Sequence, residues 1–186
     1  MSVSTRAAAR AGDLSGLRRV SLVLGGARSG KSAHAESLIL RHAERALYLA
    51  TGTAGDAEMA ARIRHHRDRR GSAWTTIEEP LELAARLGAE ARPDRPILVD
   101  CLTLWLSNLM HADRDIEAET LALAAMLPGL ASPVVFVSNE VGLGIVPDNA
   151  LARLFRDHAG RLNQAVAAIA DTVIFVAAGL PLTLKS

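Results

Sequence analysis

The sequence predicts an α/β fold in which a mostly parallel sheet is covered by helices on both faces and carries a phosphate-binding loop. Three observations predict it. Short apolar runs alternate with helix-patterned stretches through most of the 186 residues, as right-handed β-α-β crossovers require. Hydrophobic residues make up 49% of the chain and aromatics only 3%. The core is therefore aliphatic, which suits strands packed beneath Ala/Leu helices better than a β-sandwich. Finally, Gly25-Gly26-Ala27-Arg28-Ser29-Gly30-Lys31-Ser32 is a complete G-x-x-x-x-G-K-S loop set between a strand pattern and a helix pattern.

Residues 1–19 are rich in Ala and Arg and poor in large apolar groups, and are expected to form a flexible N-terminal extension. Residues 20–186 are expected to form a single nucleotide-binding catalytic domain, long enough for a sizeable core. Val20-Ser21-Leu22-Val23-Leu24 has the length and composition of a buried strand. Beyond the glycine loop, residues 32–45 place Ala35, Leu38 and Ile39 at helical spacing. A second strand is predicted over 46–50 and a charged helix over 56–70. Trp74 to Glu79 ends in two carboxylates and reads as an acidic turn. A helix pattern covers 81–90, and Arg92-Pro93-Asp94-Arg95-Pro96 turns into the strand Ile97-Leu98-Val99-Asp100. Helices are expected over 102–110 and 116–127, the second ended by Leu127-Pro128-Gly129. A strand over 134–138, a long helix over 149–170 and a strand over 172–177 complete the pattern.

Composition also excludes. The formal net charge of +1 gives no bulk attraction to nucleic acid or to an anionic membrane. No apolar stretch has signal-peptide or membrane-spanning character, so a cytoplasmic protein is expected. The single cysteine, Cys101, rules out an internal disulfide or a multi-cysteine metal site and reads as a small buried hydrophobe.

The chemistry gathers at strand ends, where ligands of open α/β sheets bind. In the glycine loop, backbone N–H groups and the helix N-terminus face an anion. Lys31 is expected to reach the terminal phosphates of a nucleoside triphosphate, and the Ser32 hydroxyl to hold Mg²⁺. Asp100 closes an apolar strand, where an acid orders Mg²⁺; ending a buried strand in Asp also serves as a cap or turn. Thr51-Gly52-Thr53 follows the second strand and reads equally as nucleotide contact or as plain loop. On the helix expected over 56–70, Met59, Ile63 and His66 share one face, and Glu58, Arg62, His65 and Arg69 another. An imidazole among arginines stays neutral and nucleophilic, with cations at hand for a phosphate; the same pattern also describes a solvated basic face. Asn139-Glu140-Val141-Gly142-Leu143-Gly144 follows a strand but lacks the further glycine of a dinucleotide site, so NAD is not expected. No Asn-Lys-x-Asp segment is present, which leaves ATP and GTP both open. A small-molecule kinase and a non-catalytic nucleotide switch also remain open at this level.

Several segments together resemble the bifunctional adenosylcobinamide kinase/adenosylcobinamide-phosphate guanylyltransferase family of cobalamin biosynthesis. They are the glycine loop with His34-Ala35-Glu36, Tyr48-Leu49-Ala50-Thr51, and Glu58-Met59-Ala60-Ala61-Arg62-Ile63-Arg64-His65-His66. They continue in Ser138-Asn139-Glu140-Val141-Gly142-Leu143-Gly144-Ile145-Val146-Pro147, Leu151-Ala152-Arg153, Phe155-Arg156-Asp157 and Ala159-Gly160-Arg161-Leu162-Asn163-Gln164. The resemblance implies a RecA-like, three-layer phosphate-loop NTPase fold and a homotrimer. It implies that ATP or GTP phosphorylates adenosylcobinamide, and that GTP then donates GMP to the resulting phosphate. It implies that His65 carries GMP covalently, with Lys31 and Mg²⁺ (at Ser32 and Asp100) stabilising the departing pyrophosphate. Nucleotide contacts are implied at Ala50, Thr51, Gly52, His66, Arg67, Asp68, Arg69, Glu78 and Asp100. Some relatives carry Glu in place of Asp100, and some carry Gly in place of Arg69.

Overall fold

The computed structural model describes residues 14–52 and 71–186. The helix expected over 56–70, with His65 to Arg69, lies outside the described residues. The strands are β1 (Val20–Gly25), β2 (Ala46–Ala50), β3 (Trp74–Glu78), β4 (Ile97–Asp100), β5 (Val134–Asn139), β6 (Thr172–Ala177) and β7 (Leu180–Lys185). They form one sheet in the order β3-β2-β4-β5-β1-β6-β7. Every neighbouring pair is parallel except β6 and β7. The helices are α1 (Lys31–Leu40), α2 (Leu83–Glu90), α3 (Leu102–His111), α4 (Ile116–Met126) and α5 (Ala150–Ile169).

The inner strands read as continuous apolar runs because both of their faces are covered. The pleat deals successive side chains to opposite sides. Leu22, Leu47, Leu49, Ile97, Val99, Val134 and Phe136 join Trp105, Leu106, Leu123 and Leu162 from α3, α4 and α5. Val23, Tyr48, Leu98, Val135 and Val137 join Ala35 and Ile39 of α1 on the other side. The result is three layers, and full burial of each large aliphatic side chain contributes about 1.5–3 kcal/mol.

The structure departs from the sequence reading in four places. The stretch expected to be an acidic turn is β3, paired in register with β2 from Ala46↔Trp74 to Ala50↔Glu78. As an edge strand it is only half covered, so its polar residues hide the strand pattern; Trp74 anchors it edge-on against Tyr48, ring centroids 5.7 Å apart. The antiparallel strand β7 was not anticipated, because it is exposed along all six residues and shows no burial pattern. The extension read as residues 1–19 is packed at its C-terminal end: Leu14–Gly16 form a 3-10 turn, and Leu17 is buried in the α1-side core. Helix α1 also stops at Leu40, short of the expected 45.

Candidate nucleotide site

Strand register places the predicted residues along the carboxyl edge of the sheet. Gly25 pairs with Asn139 and with Val176, Ala50 with Glu78 and with Asp100, and Asp100 with Val137. Strand β5 separates β1 from β4. With neighbouring strands about 4.8 Å apart, Asp100 lies roughly 10 Å across the sheet from Gly25, and Glu78 roughly 19 Å. Asp100 therefore stands near the glycine loop. Glu78 is too far to touch a phosphate held there.

The loop is compact. A Cβ on Gly25 would stand 2.5 Å from both Ser29 Oγ and the Val176 carbonyl, so only glycine lets the strand end pass so close. The Ser29 N–H donates to the Gly26 carbonyl at 3.3 Å. Lys31 is buried, and its Nζ curls back to donate to the Gly26 carbonyl at 3.2 Å. Helix α1 starts from Gly30 at φ 95° with no side-chain cap. Its first-turn N–H groups and positive dipole end are thus left for an anion. Ser29 Oγ is buried without a hydrogen-bond partner. Ala27 and Arg28 are exposed at the loop's outer turn, while Gly26 and Ser32 are half-buried. An uncapped helix start, a buried ammonium and an orphaned hydroxyl together fit a phosphate chain.

Beside the loop, a hydrogen-bonded knot fixes the ends of β2 and β4. Tyr48 Oη donates to Asp100 Oδ2 at 2.7 Å, orienting the carboxylate. Thr51 Oγ1 donates to the Cys101 carbonyl at 2.7 Å and accepts from the Cys101 N–H at 2.8 Å. Asn108 Nδ2 donates to the carbonyls of Thr51 at 2.7 Å and Pro80 at 3.1 Å. The Thr51 side chain is fully buried in these bonds; it ties strands together, and Ala50 and Gly52, both half-buried, present the edge. Cys101 is buried as expected, and desolvation, reinforced by the charge of Asp100, pushes its thiol up. On the other flank the Glu140 N–H donates to the Gly25 carbonyl at 3.1 Å, and Asn139 Nδ2 donates to Thr103 Oγ1 at 2.8 Å. The positioning roles of Tyr48 and Asn108 were missed. The available signal was a lone amide, Asn108, in a helix whose larger side chains are mostly apolar.

The hydroxyl of Ser32 and the carboxylate of Asp100 are hard oxygen donors of the kind that suit Mg²⁺. That ion keeps most of its shell as water and substrate phosphate and needs few protein ligands. Among the described residues no group of three His, Cys, Asp or Glu could hold a metal. His65, His66, Arg67, Asp68 and Arg69 lie outside the described residues.

Residues 21–184 match the family described as cobinamide kinase / cobinamide phosphate guanyltransferase. The chain belongs to this family. It is 50% identical over 166 residues to the bifunctional adenosylcobalamin biosynthesis protein CobP of Pseudomonas aeruginosa, covering 88% of this chain and 96% of that one. It is 45% identical over 179 residues to the bifunctional adenosylcobalamin biosynthesis protein CobU of Salmonella typhimurium, covering 88% and 98%. Among solved structures it is similar to the flagellar accessory protein FlaH of Methanocaldococcus jannaschii, with TM-score 0.51 and 12% identity over 91% of this chain and 79% of that one. It is also similar to an ATPase of a type III secretion system, with TM-score 0.52 and 12% identity over 91% and 59%. At such identities the likeness concerns the fold alone. The chain therefore has the three-layer, RecA-like phosphate-loop fold that the family resemblance implies. No described helix is long and apolar enough to cross a membrane.

Proposed function

We propose that the chain carries out both reactions of its family at this carboxyl edge. In the first, the hydroxyl oxygen of adenosylcobinamide's aminopropanol arm attacks the γ-phosphorus of ATP or GTP. The β–γ bridging bond breaks, the nucleoside diphosphate leaves and the hydroxyl proton passes to solvent. In the second, a ring nitrogen of His65 attacks the α-phosphorus of GTP, and the α–β bridging bond breaks to release pyrophosphate. The phosphate oxygen of adenosylcobinamide phosphate then attacks the same phosphorus, the N–P bond breaks, and adenosylcobinamide-GDP results. Lys31 and the open N–H groups of α1 hold the phosphates and take up charge as the leaving group departs. Mg²⁺, held by Ser32 and by Asp100 as Tyr48 orients it, supplies charge neutralisation on the phosphate oxygens. Ala50 and Gly52 border the nucleotide, the backbone at Thr51 joins them, and Glu78 with His66, Arg67, Asp68 and Arg69 meets its nucleoside end. The protein works as a cytoplasmic homotrimer.

The observation that carries this reading is the family match over residues 21–184, which spans the glycine loop, Asp100 and the His65 segment. The test uses purified protein and the His65→Ala variant, incubated with α-labelled GTP and Mg²⁺ and resolved under denaturing, non-acidic conditions. The expected result is label on the parent, lost in acid, and none on the variant, which keeps part of its kinase activity. Absence of label on protein shown to bind GTP overturns the guanylyl-histidine step and leaves a simple kinase or a nucleotide switch.

A further inference from the structure

Burial does not explain why β7 exists. All six of its residues are exposed, with Leu180, Leu182 and Leu184 open to 73%, 60% and 57%, so it adds little to the core. Beyond its ladder with β6, hydrogen bonds tie down its two ends. At the far end Lys185 Nζ donates to the Ala167 and Ala168 carbonyls, both at 3.0 Å, at the C-terminus of α5. At the near end Ala178 and Gly179, at φ 51° and 79°, form the two-residue turn that joins the paired residues Ala177 and Leu180. Two successive positive φ values are the hairpin turn that matches strand twist. This turn lies against the glycine loop. The Gly179 N–H donates to the Ser29 carbonyl at 2.8 Å. A Cβ on Gly30 would stand 3.2 Å from Gly179 Cα, just as one on Gly25 would strike the Val176 carbonyl.

We infer that Gly179 is a positioning residue for triphosphate binding, acting by fixing the Ser29–Gly30 peptide of the phosphate loop. This rests on the reading that the loop holds a triphosphate. In a trans peptide the carbonyl and the following N–H point in opposite directions. Anchoring the Ser29 carbonyl on the hairpin therefore turns the Gly30 N–H away from it, into the loop, as a preset donor. Without the anchor the peptide rotates, and the donor must be ordered each time a phosphate binds. The hairpin thus pre-organises the loop from outside it.

The test measures the Kd of GTP and of ATP, and the kinase KM and kcat, for the full chain and three variants. Gly179→Pro removes the N–H and forbids the positive φ. It is expected to raise Kd and KM roughly tenfold or more while kcat at saturation stays within about threefold. Gly179→Asn retains the N–H in a residue that tolerates this conformation and is expected to restore near-parental affinity. Lys185→Ala loosens the same hairpin at its other end and is expected to leave Kd unchanged. Should Gly179→Pro not fold, Gly179→Val, a β-branched residue for which this φ is a genuine outlier, displaces the turn and its N–H, with an expected several-fold loss. Parental affinity in a folded Pro or Val variant, or equal weakening by Lys185→Ala, overturns the inference. Failure of the parent to bind either nucleotide overturns the nucleotide reading itself.

Discussion

Helices α1 and α5 follow neighbouring strands whose ends, Gly25 and Asn139, are paired in register, yet they begin in opposite ways. At α5, Asn149 Oδ1 accepts from the N–H groups of Leu151 at 2.7 Å and Ala152 at 3.2 Å. At α1, Gly30 occupies the same position and no side chain caps the helix. The lead-in differs too. The phosphate loop is tight and buries Lys31, whereas residues 141–146 are exposed, Leu143 to 81% and Ile145 to 97%. Helix α5 also overshoots the sheet. Asn163 Nδ2 donates to the Asn139 carbonyl at 3.3 Å, so the residues before it rise roughly 20 Å beyond the edge at about 1.5 Å each. A side-chain cap contributes about 1 kcal/mol, and α1 forgoes it while Ala35 and Ile39 pack without exposure. The difference teaches that α1 derives its stability from packing and leaves its N-terminus open, whereas α5 fills its own.

The largest effect separating the two belongs to Lys31. Lys31→Met keeps the buried stem and deletes the charge. Triphosphate affinity and both activities are expected to fall by roughly a hundredfold or more. The melting temperature should hold or rise, since a buried ammonium is costly to desolvate. Kinetics and thermal melts on the same preparation check this. Parental activity, or a variant several degrees less stable, would make Lys31 a structural residue and erase the contrast.

The contrast also marks what the sequence could announce. The unit β1–loop–α1 was legible because its chemistry is local: a buried strand, two glycine constraints and a lysine fall within a few residues. Strands buried on both faces were legible as apolar runs, from Leu22-Val23-Leu24 to Ile97-Leu98-Val99. The edge strands were not, because β3 is half polar and β7 has no buried face; pairing alone defines them. Thr51 reads equally as ligand contact or plain loop, since a small polar residue at a strand end is open to both uses. Only the fold shows its hydroxyl tied to Cys101. Asp100 was legible at the end of β4, but the Tyr48 bond that aims it joins residues 52 apart in sequence. The role expected of His65 comes from the family resemblance and not from its spacing, which fits a solvated face as well.

A middle-sized effect is expected at Asn149. Asn149→Ala leaves the Leu151 and Ala152 N–H groups without their acceptor and should cost about 1 kcal/mol. In a chain of this size that is a fall of roughly 2–4 °C in Tm, with nucleotide Kd unchanged. The pairing with Lys31→Met is deliberate: one variant loses affinity without stability, the other stability without affinity. Loss of affinity at Asn149 would mean that the α5 terminus takes part in binding and that the two helix starts share a task.

The smallest effect sharpens the comparison at a third helix start on the same edge. Glu79 Oε1 accepts from the N–H groups of Leu81 at 3.3 Å and Glu82 at 2.9 Å, and Oε2 meets Arg86 Nε at 3.3 Å. Partial burial alone would push this carboxyl up, but the N–H groups of Glu82 and Leu81 and the Arg86 guanidinium outweigh it and hold the carboxyl below its ordinary value of 4.5. A depressed native value means that the unfolded chain takes up the proton first as pH falls. The ionised carboxylate therefore stabilises the fold fully above about pH 4.5, and that contribution is lost as pH falls through the lower native value. Glu79→Gln should cost about half a kcal/mol at neutral pH and flatten the decline of stability below pH 4.5, as read by urea unfolding across a pH series. An unchanged acid slope would mean that these bonds serve the neutral carboxyl equally well. The start of α2 would then be closed by shape alone, and charge at the helix termini of this edge would matter only where α1 meets its ligand.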